Sequence, residues 1–419
     1  MQSALQDFPA MNSTDAAPFD PWTAISPDEF RQRQQRLRDA AAAEGYAGVV
    51  VFSRGGAFLD QFQDALYLTN HYSQQPAMGD ETGIGSARSH AAVVVPVDGP
   101  VTVVVDIPWW RKDIVVADEV IPSVDVAGSA AKALKDAGLA DGKPVALVGA
   151  AYMTAAAYLG LRDNAPEANI QRADRLVELL RIHKSEAEVD LVRRACALGS
   201  RSMDAMMEAV VAGALETEAV AAATAVLYAG GGALYDAACA SGPRSHSFTW
   251  GRIPSADPVR RMEKGDLFHV DYYGAYGGYY FDFARSRAVG DEPTDEQRDL
   301  LEATIEAVEH ICAAIRPGIS ASELYAVGDE WVADSAVVAS LPVEEPEMEL
   351  FPAYGHGIGL MWEGPWVTPT DDTPLEPGMT LGIELLLGHP SRGGSMFEEN
   401  VVVTEDGFAL LTDARKRWW

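Results

Sequence analysis

The stretch DYYGAYGGYYFDFARSR, residues 271–287, sets Asp271 and Asp282 within a glycine- and tyrosine-rich run. Acidic residues are poor strand formers, yet the segments around them, DLFHVDYY and GYYFDFARS, read as strands joined through Gly274, Gly277 and Gly278. With Tyr276 and Gly277 at the tip, Asp271 falls directly opposite Asp282 on one face. Cross-strand Cβ atoms sit about 5 Å apart. Two ionised carboxylates that close repel, and burial raises the pKa of at least one. Val270, Phe281 and Phe283 argue against an exposed hairpin with solvated acids. A shared divalent cation is the expected resolution.

A second hairpin repeats the pattern. MTLGIELLLG (379–388) and SMFEENVVVTEDG (395–407) flank the loop HPSRGG. With Ser391 at its centre, Glu384 faces Glu398, and strand pleat sends Glu399 to the other side. In AYGHGIGL (353–360), His356 sits between glycines, where backbone can approach a site closely. A lone histidine is more often structural, but beside four unpaired acids it reads as a ligand. Four carboxylates and a neutral imidazole balance two divalent ions. Two such ions about 3.5–4 Å apart polarise a carbonyl and generate hydroxide at neutral pH, which is machinery for hydrolysis.

The bulk charge reads first as solubility, and a cationic or zwitterionic substrate fits it as well. The 419 residues are 48% hydrophobic, enough for two domains with buried cores. A net charge of −30 repels phosphate backbones and anionic lipid, which argues against nucleic-acid and membrane partners. No apolar run reaches membrane-spanning length. The opening MQSALQDFPAMNSTDAAPFDPW lacks the basic start and apolar block of a signal peptide. Cys196, Cys239 and Cys312 show no CxxC spacing, so a reduced, cytoplasmic setting is expected.

Residues 1–25 read as a loose polar lead. SPDEFRQRQQRLRDAAAAEG (26–45) is a helix with a Ser cap, Pro in first position and Gly at its end. The apolar runs YAGVVVFS, AAVVVPVDGPVTVVVD (a hairpin) and PVALVGA then predict an α/β domain with a mixed sheet over 26–182. A capping box at Ser185 and Glu188 opens a strongly helical stretch, which places the boundary near His183. Over 183–419, helices (186–230, 293–316, 321–339) and antiparallel hairpins predict an α+β domain.

Taken together, the five residues resemble the metal ligands of the pita-bread family, which includes creatinase, prolidase, aminopeptidase P and methionine aminopeptidase. VDYYGAYGGYYFDFARS, GHGIG, EPGMTLGIE and EENVVVTEDG match its motifs in order. The match is close over 185–419, and looser upstream through ALYLTNHY and LLRIHKSEAEV. Counting back from TEDG also selects Glu398 over Glu399. The resemblance implies a C-terminal pita-bread domain behind a smaller creatinase-type α/β domain. It implies that Asp271, Asp282, His356, Glu384 and Glu398 hold two divalent ions (Mn, Co, Zn or Fe), with Glu384 or Glu363 as general base. It further implies a small-molecule or short-peptide substrate, Xaa-Pro peptidase as the commonest activity, and a homodimer in which the N-terminal domain caps the partner's site. The polar loop at 70–90 is of the kind that would reach across.

The departures are specific. Family peptidases carry a histidine in a PHGR-like segment, where FTWGRIPSADPVRRMEKGD offers Trp250, with His246 upstream as a substitute. Their second histidine, in HExP, is met by GLMWEGPW, one residue shorter, with Trp362 before Glu363. Two tryptophans for two histidines predict a larger, more apolar pocket with fewer proton carriers. SGPRSH and HGIGLMWEGPWV are similar to the dimethylsulfoniopropionate lyase branch, but that branch's proton-handling Tyr and Asp are Phe351 and Trp362 here. Ectoine hydrolase and creatinase are other relatives that cleave C–N bonds in small charged molecules. Trp250, Trp362 and Phe351, with Arg244, are the expected substrate-binding residues, the aromatics forming a cage for a cation. Trp366 is expected to pack in the core. A non-catalytic binding protein is a third reading, disfavoured by retention of all five ligands.

Overall fold

The computed structural model describes residues 19–55, 61–73, 87–249, 251, 253–290, 292–341 and 353–419. Trp250 and Phe351 lie outside the described residues, as do most of the 70–90 loop and residues 1–18 of the lead.

The N-terminal part starts with α1 (Pro27–Ala43), capped by the Ser26 hydroxyl, which accepts the Glu29 N–H. Then follow β1 (Gly48–Arg54), α2 (Gln63–Thr69), β2 (His90–Pro96), β3 (Thr102–Val105), β4 (Glu119–Pro122), α3 (Val126–Asp136), β5 (Pro144–Val148), α4 (Ala155–Asn164), β6 (Asn169–Arg172) and α5 (Arg175–Arg181). The strands form one mixed sheet, ordered β4-β3-β2-β1-β5-β6, with β1 antiparallel to β2 and parallel to β5. The run 49–52 of β1 is continuously apolar because both faces of the strand are covered. Val49 and Val51 enter a core with Leu37 and Tyr67, while Val50 and Phe52 enter another with Leu134 and Leu161.

The C-terminal part opens with α6 (Glu186–Ala209) at the Ser185–Glu188 capping box. It continues through α7 (Glu216–Ala229), β7 (Ala233–Ser241), β8 (Leu267–Tyr276), β9 (Tyr279–Ala288), α8 (Asp295–Ala314), α9 (Ala321–Asp334), α10 (Ala336–Ser340), β10 (Gly355–Ile358), β11 (Trp362–Trp366), β12 (Thr380–His389), β13 (Gly393–Thr404) and β14 (Gly407–Leu410). A three-stranded sheet β7-β8-β9 meets a five-stranded sheet β11-β10-β12-β13-β14, chiefly through β9, β8 and β13. Helices α6 and α7 pack on the first sheet, and α8 packs on the second.

The first hairpin corrects the sequence reading. Its tip is Gly277–Gly278, with φ of 60° and 87°, not Tyr276–Gly277. Two successive positive φ values suit the twist of a two-residue hairpin loop, and glycine adopts them without strain. Tyr276 therefore faces Tyr279, Asp282 faces Tyr273, and Asp271 faces Ala284. The two aspartates are diagonal neighbours rather than direct partners. They remain on one face because the pleat repeats every two residues. In the second hairpin Glu384 lies directly opposite Glu398, as read.

The two parts share one core, in which Val49 and Tyr67 belong to the same cluster as Leu191, Val270 and Phe281. Two buried ionic networks reinforce the joint. Arg33 pairs with Glu29 at 2.5 Å and with Glu188 at 3.2 Å, and the Tyr279 hydroxyl donates to Glu188. Arg181 approaches Asp64 and Glu363, both at 3.3 Å. Cys196, Cys239 and Cys312 are buried, and none of them forms a disulfide among the described residues. Among the described residues, no helix is long and apolar enough to cross a membrane.

Candidate metal centre

The seam between the two sheets collects the five residues. Asp271 and Asp282 come from β8 and β9, His356 from β10, Glu384 from β12 and Glu398 from β13. One ligand atom each from Asp282, His356 and Glu398 lies within 4.8 Å of the others. His356 Nε2 is 3.5 Å from Asp282 Oδ2 and 3.8 Å from Glu384 Oε1. Asp271 contacts Asp282 and Glu398.

The donors are prepared for a cation. Asp271 Oδ1, Asp282 Oδ1 and Glu398 Oε1 are buried with no hydrogen-bond partner among the described residues. Native proteins rarely leave such atoms orphaned. Burial, and then the neighbouring acids, push Asp282 and Glu398 far above the usual carboxylate range. Burial is also the main cause that lifts Asp271 to about 7 and Glu384 to about 8. Burial lowers His356 to about 4, so its ring is neutral at pH 7. His356 Nδ1 lies 3.1 Å from the Gly357 carbonyl. A proton on Nδ1 would donate there and leave the Nε2 lone pair facing the acids. Carboxyl oxygens crowded without partners, beside a neutral imidazole, fit divalent metal ions, whose charge would take the place of the retained protons.

Backbone and neighbours hold this set. Asn400 on β13 accepts the Asp282 N–H at 3.0 Å and donates to the Asp282 carbonyl. Glu399 points away from Glu398, as the pleat requires. It pairs with the fully buried Arg285 at 3.2 Å and accepts from Thr412. Arg285 also donates to the carbonyls of Glu398 and Arg415, tying β9 to β13 and to the last residues of the chain.

Several expected roles are redistributed. Glu363 is not beside the five. It is buried on the opposite face of β11 from Trp362, 2.7 Å from Lys184 and 3.3 Å from Arg181, an arrangement that favours an anchor over a base. Trp362 does reach the centre, and its indole N–H donates to Asp282 Oδ2. Trp366, expected in the core, is 37% exposed and its ring lies 5.5 Å from that of His356. As a strand-end residue it flanks the imidazole from the solvent side. His246 packs its backbone on Gly388 and Gly394, four residues along from Glu384 and Glu398, which is about 13 Å of strand. Its electrostatic neighbour is His269. Arg244 pairs with Asp257 at 2.9 Å and is part-exposed.

Asp236 escaped the sequence reading. It faces Tyr273 across β7–β8, accepts from Ser255 at 2.5 Å, and its charge adds to the upward shift of Asp271. Its signal was a single acid inside ALYDAACAS; its diagonal neighbour Asp271 lies on β8, beyond a long connection, so no short hairpin marks the two as a pair.

The chain is similar to known proteins in both sequence and fold. The profile of metallopeptidase family M24 matches residues 190–405, a span that contains all five residues. An Xaa-Pro dipeptidase of Pyrococcus furiosus is 30% identical over 255 residues, covering 59% of this chain and 67% of the relative. The probable dipeptidase PepE of Mycobacterium tuberculosis is 31% identical over 274 residues, covering 64% and 68%. Among solved structures, an Xaa-Pro dipeptidase from Bacillus anthracis matches with a TM-score of 0.74 at 22% identity, over 92% of this chain and 98% of that one. The prolidase of Pyrococcus horikoshii matches with a TM-score of 0.72 at 21% identity, over 92% and 99%. The expected architecture, a pita-bread unit behind a smaller α/β unit, is the one observed.

Proposed function

Because the chain belongs to metallopeptidase family M24 and is accordingly a metallohydrolase, we propose that it hydrolyses an amide or related C–N bond with two divalent ions, Xaa-Pro dipeptides being the first substrate class. The observation that carries this reading is the set of three orphaned, buried carboxylate oxygens around a neutral imidazole. Asp271, Asp282, His356, Glu384 and Glu398 would hold the ions. When bound, such ions supply a Lewis acid for the scissile carbonyl and activate water. His356 contributes a neutral donor whose tautomer is set by Gly357. Glu384 has a side chain 12% exposed against 3% for Asp282, and that access supports it as the acceptor of the water's proton. A cytoplasmic setting is supported by the three buried thiols. The homodimer is carried over from the family resemblance. Proline release from Xaa-Pro dipeptides with added Mn²⁺ is the expected result, and no release at any metal loading would reject peptidase activity.

A second reading rests on Trp366 and Trp362. Their rings lie 5.5 Å and 6.1 Å from that of His356, an aromatic wall suited to a cationic or flat small molecule. Ectoine and creatine, with dimethylsulfoniopropionate as the lyase probe, are the discriminating substrates. Turnover of one of them with inert dipeptides would move the chain to the small-molecule side of the family.

A further inference from the structure

Asp282 has four polar groups, and three are already engaged. Its N–H and carbonyl are taken by Asn400, and its Oδ2 accepts the Trp362 indole N–H. Only Oδ1, buried and without a partner among the described residues, is left. An indole N–H donates and never accepts, so this contact always selects the same kind of oxygen lone pair. The ring has little freedom to leave. Tyr273 meets it edge-on at 5.1 Å, and His356 meets it at 6.1 Å. On the reverse face of β11, Glu363 is clasped by Lys184 and Arg181, which fixes the strand that carries the indole.

We propose that Trp362 is a positioning residue for Asp282: by holding Oδ2, the oxygen that also faces His356 Nε2 at 3.5 Å, it fixes the rotation of the carboxylate among the other ligands, so the indole sets the affinity of the metal centre. This rests on the metal-binding reading above. Hydrogen bonds that orient a metal ligand typically change affinity by about 10- to 100-fold.

The test uses the metal-stripped full chain and Mn²⁺ in a calorimetric titration. W362F is expected to bind about 10- to 100-fold more weakly than the wild type and to shift the visible absorption of bound Co²⁺. W331F, a change at a residue that packs against the core beneath the second sheet and is not one of those around the centre, is expected to bind Mn²⁺ as the wild type does. A measurement free of the W362F fold is the Trp362 indole N–H resonance in the stripped protein, expected to move in D282N. An unchanged affinity and Co²⁺ spectrum in folded W362F overturns this inference and leaves the metal reading standing. A wild-type chain that takes up no Mn²⁺ overturns both. An indole resonance indifferent to D282N removes the contact itself.

Discussion

Gly382 has no side chain at a place where Glu398 needs the room. A Cβ there would meet Glu398 Oε1 at 2.3 Å. The obstacle is the end of a side chain rather than backbone, so G382A should displace the carboxylate and leave the hairpin folded. We expect Mn²⁺ affinity to fall by about tenfold or more, with a stability change of about 1 kcal/mol or less. Calorimetric titration beside thermal melting reads both, and undiminished binding would count against Glu398 as a ligand. At this scale the sequence was legible where acids came in cross-strand pairs. It was less so for residues whose partners lie elsewhere in the fold. Asp236 meets a loop serine, and Asn400 serves the neighbouring sheet. Trp366 flanks His356 only because β11 pairs with β10.

Among the elements, strand parity mattered more than turn placement. The β8–β9 tip lies one residue further along the chain than the sequence pattern places it, yet both aspartates keep the expected face. The β12–β13 register was readable directly because its loop is centred on Ser391. Strand β11 was harder, since WEGPW carries no apolar alternation and Glu363 follows immediately on Trp362. Only the structure shows that the pair divides, the indole towards Asp282 and the carboxylate towards Lys184. Removing one partner of a buried ionic set leaves the others uncompensated, at a cost of about 3–5 kcal/mol. E363Q should therefore lose that order of stability in denaturant melts. Below its melting point, turnover per folded molecule should persist. A stable but inactive E363Q would restore Glu363 to the chemistry.

For the whole molecule, the sign of its pH response follows from the buried acids. Asp271 and Glu384 keep protons up to about pH 7 and 8 in the folded, metal-free chain. The unfolded chain releases them near pH 4. The folded state binds more protons across that window, so stability falls as pH rises through it. His71, His269 and His356, lowered to about 4 by burial, act in the opposite sense, but only below their unfolded value near 6.5. From pH 6.5 to 8, metal-free protein should lose on the order of 1 kcal/mol per pH unit for each proton retained. Saturating Mn²⁺ should flatten that decline, because ions replace the protons. Melting curves at both metal levels check this, and a metal-free midpoint that rises over the window would refute it.

Asn400 gives the assembly a further property. It grips the peptide groups on either side of Asp282 rather than its carboxylate, so the gauge between the two sheets is set by main chain. Valence and gauge are thereby separate: exchanging a ligand alters how many charges line the gap without altering its width. A lineage on this scaffold can change its ion or its chemistry one side chain at a time while the mould stays the same.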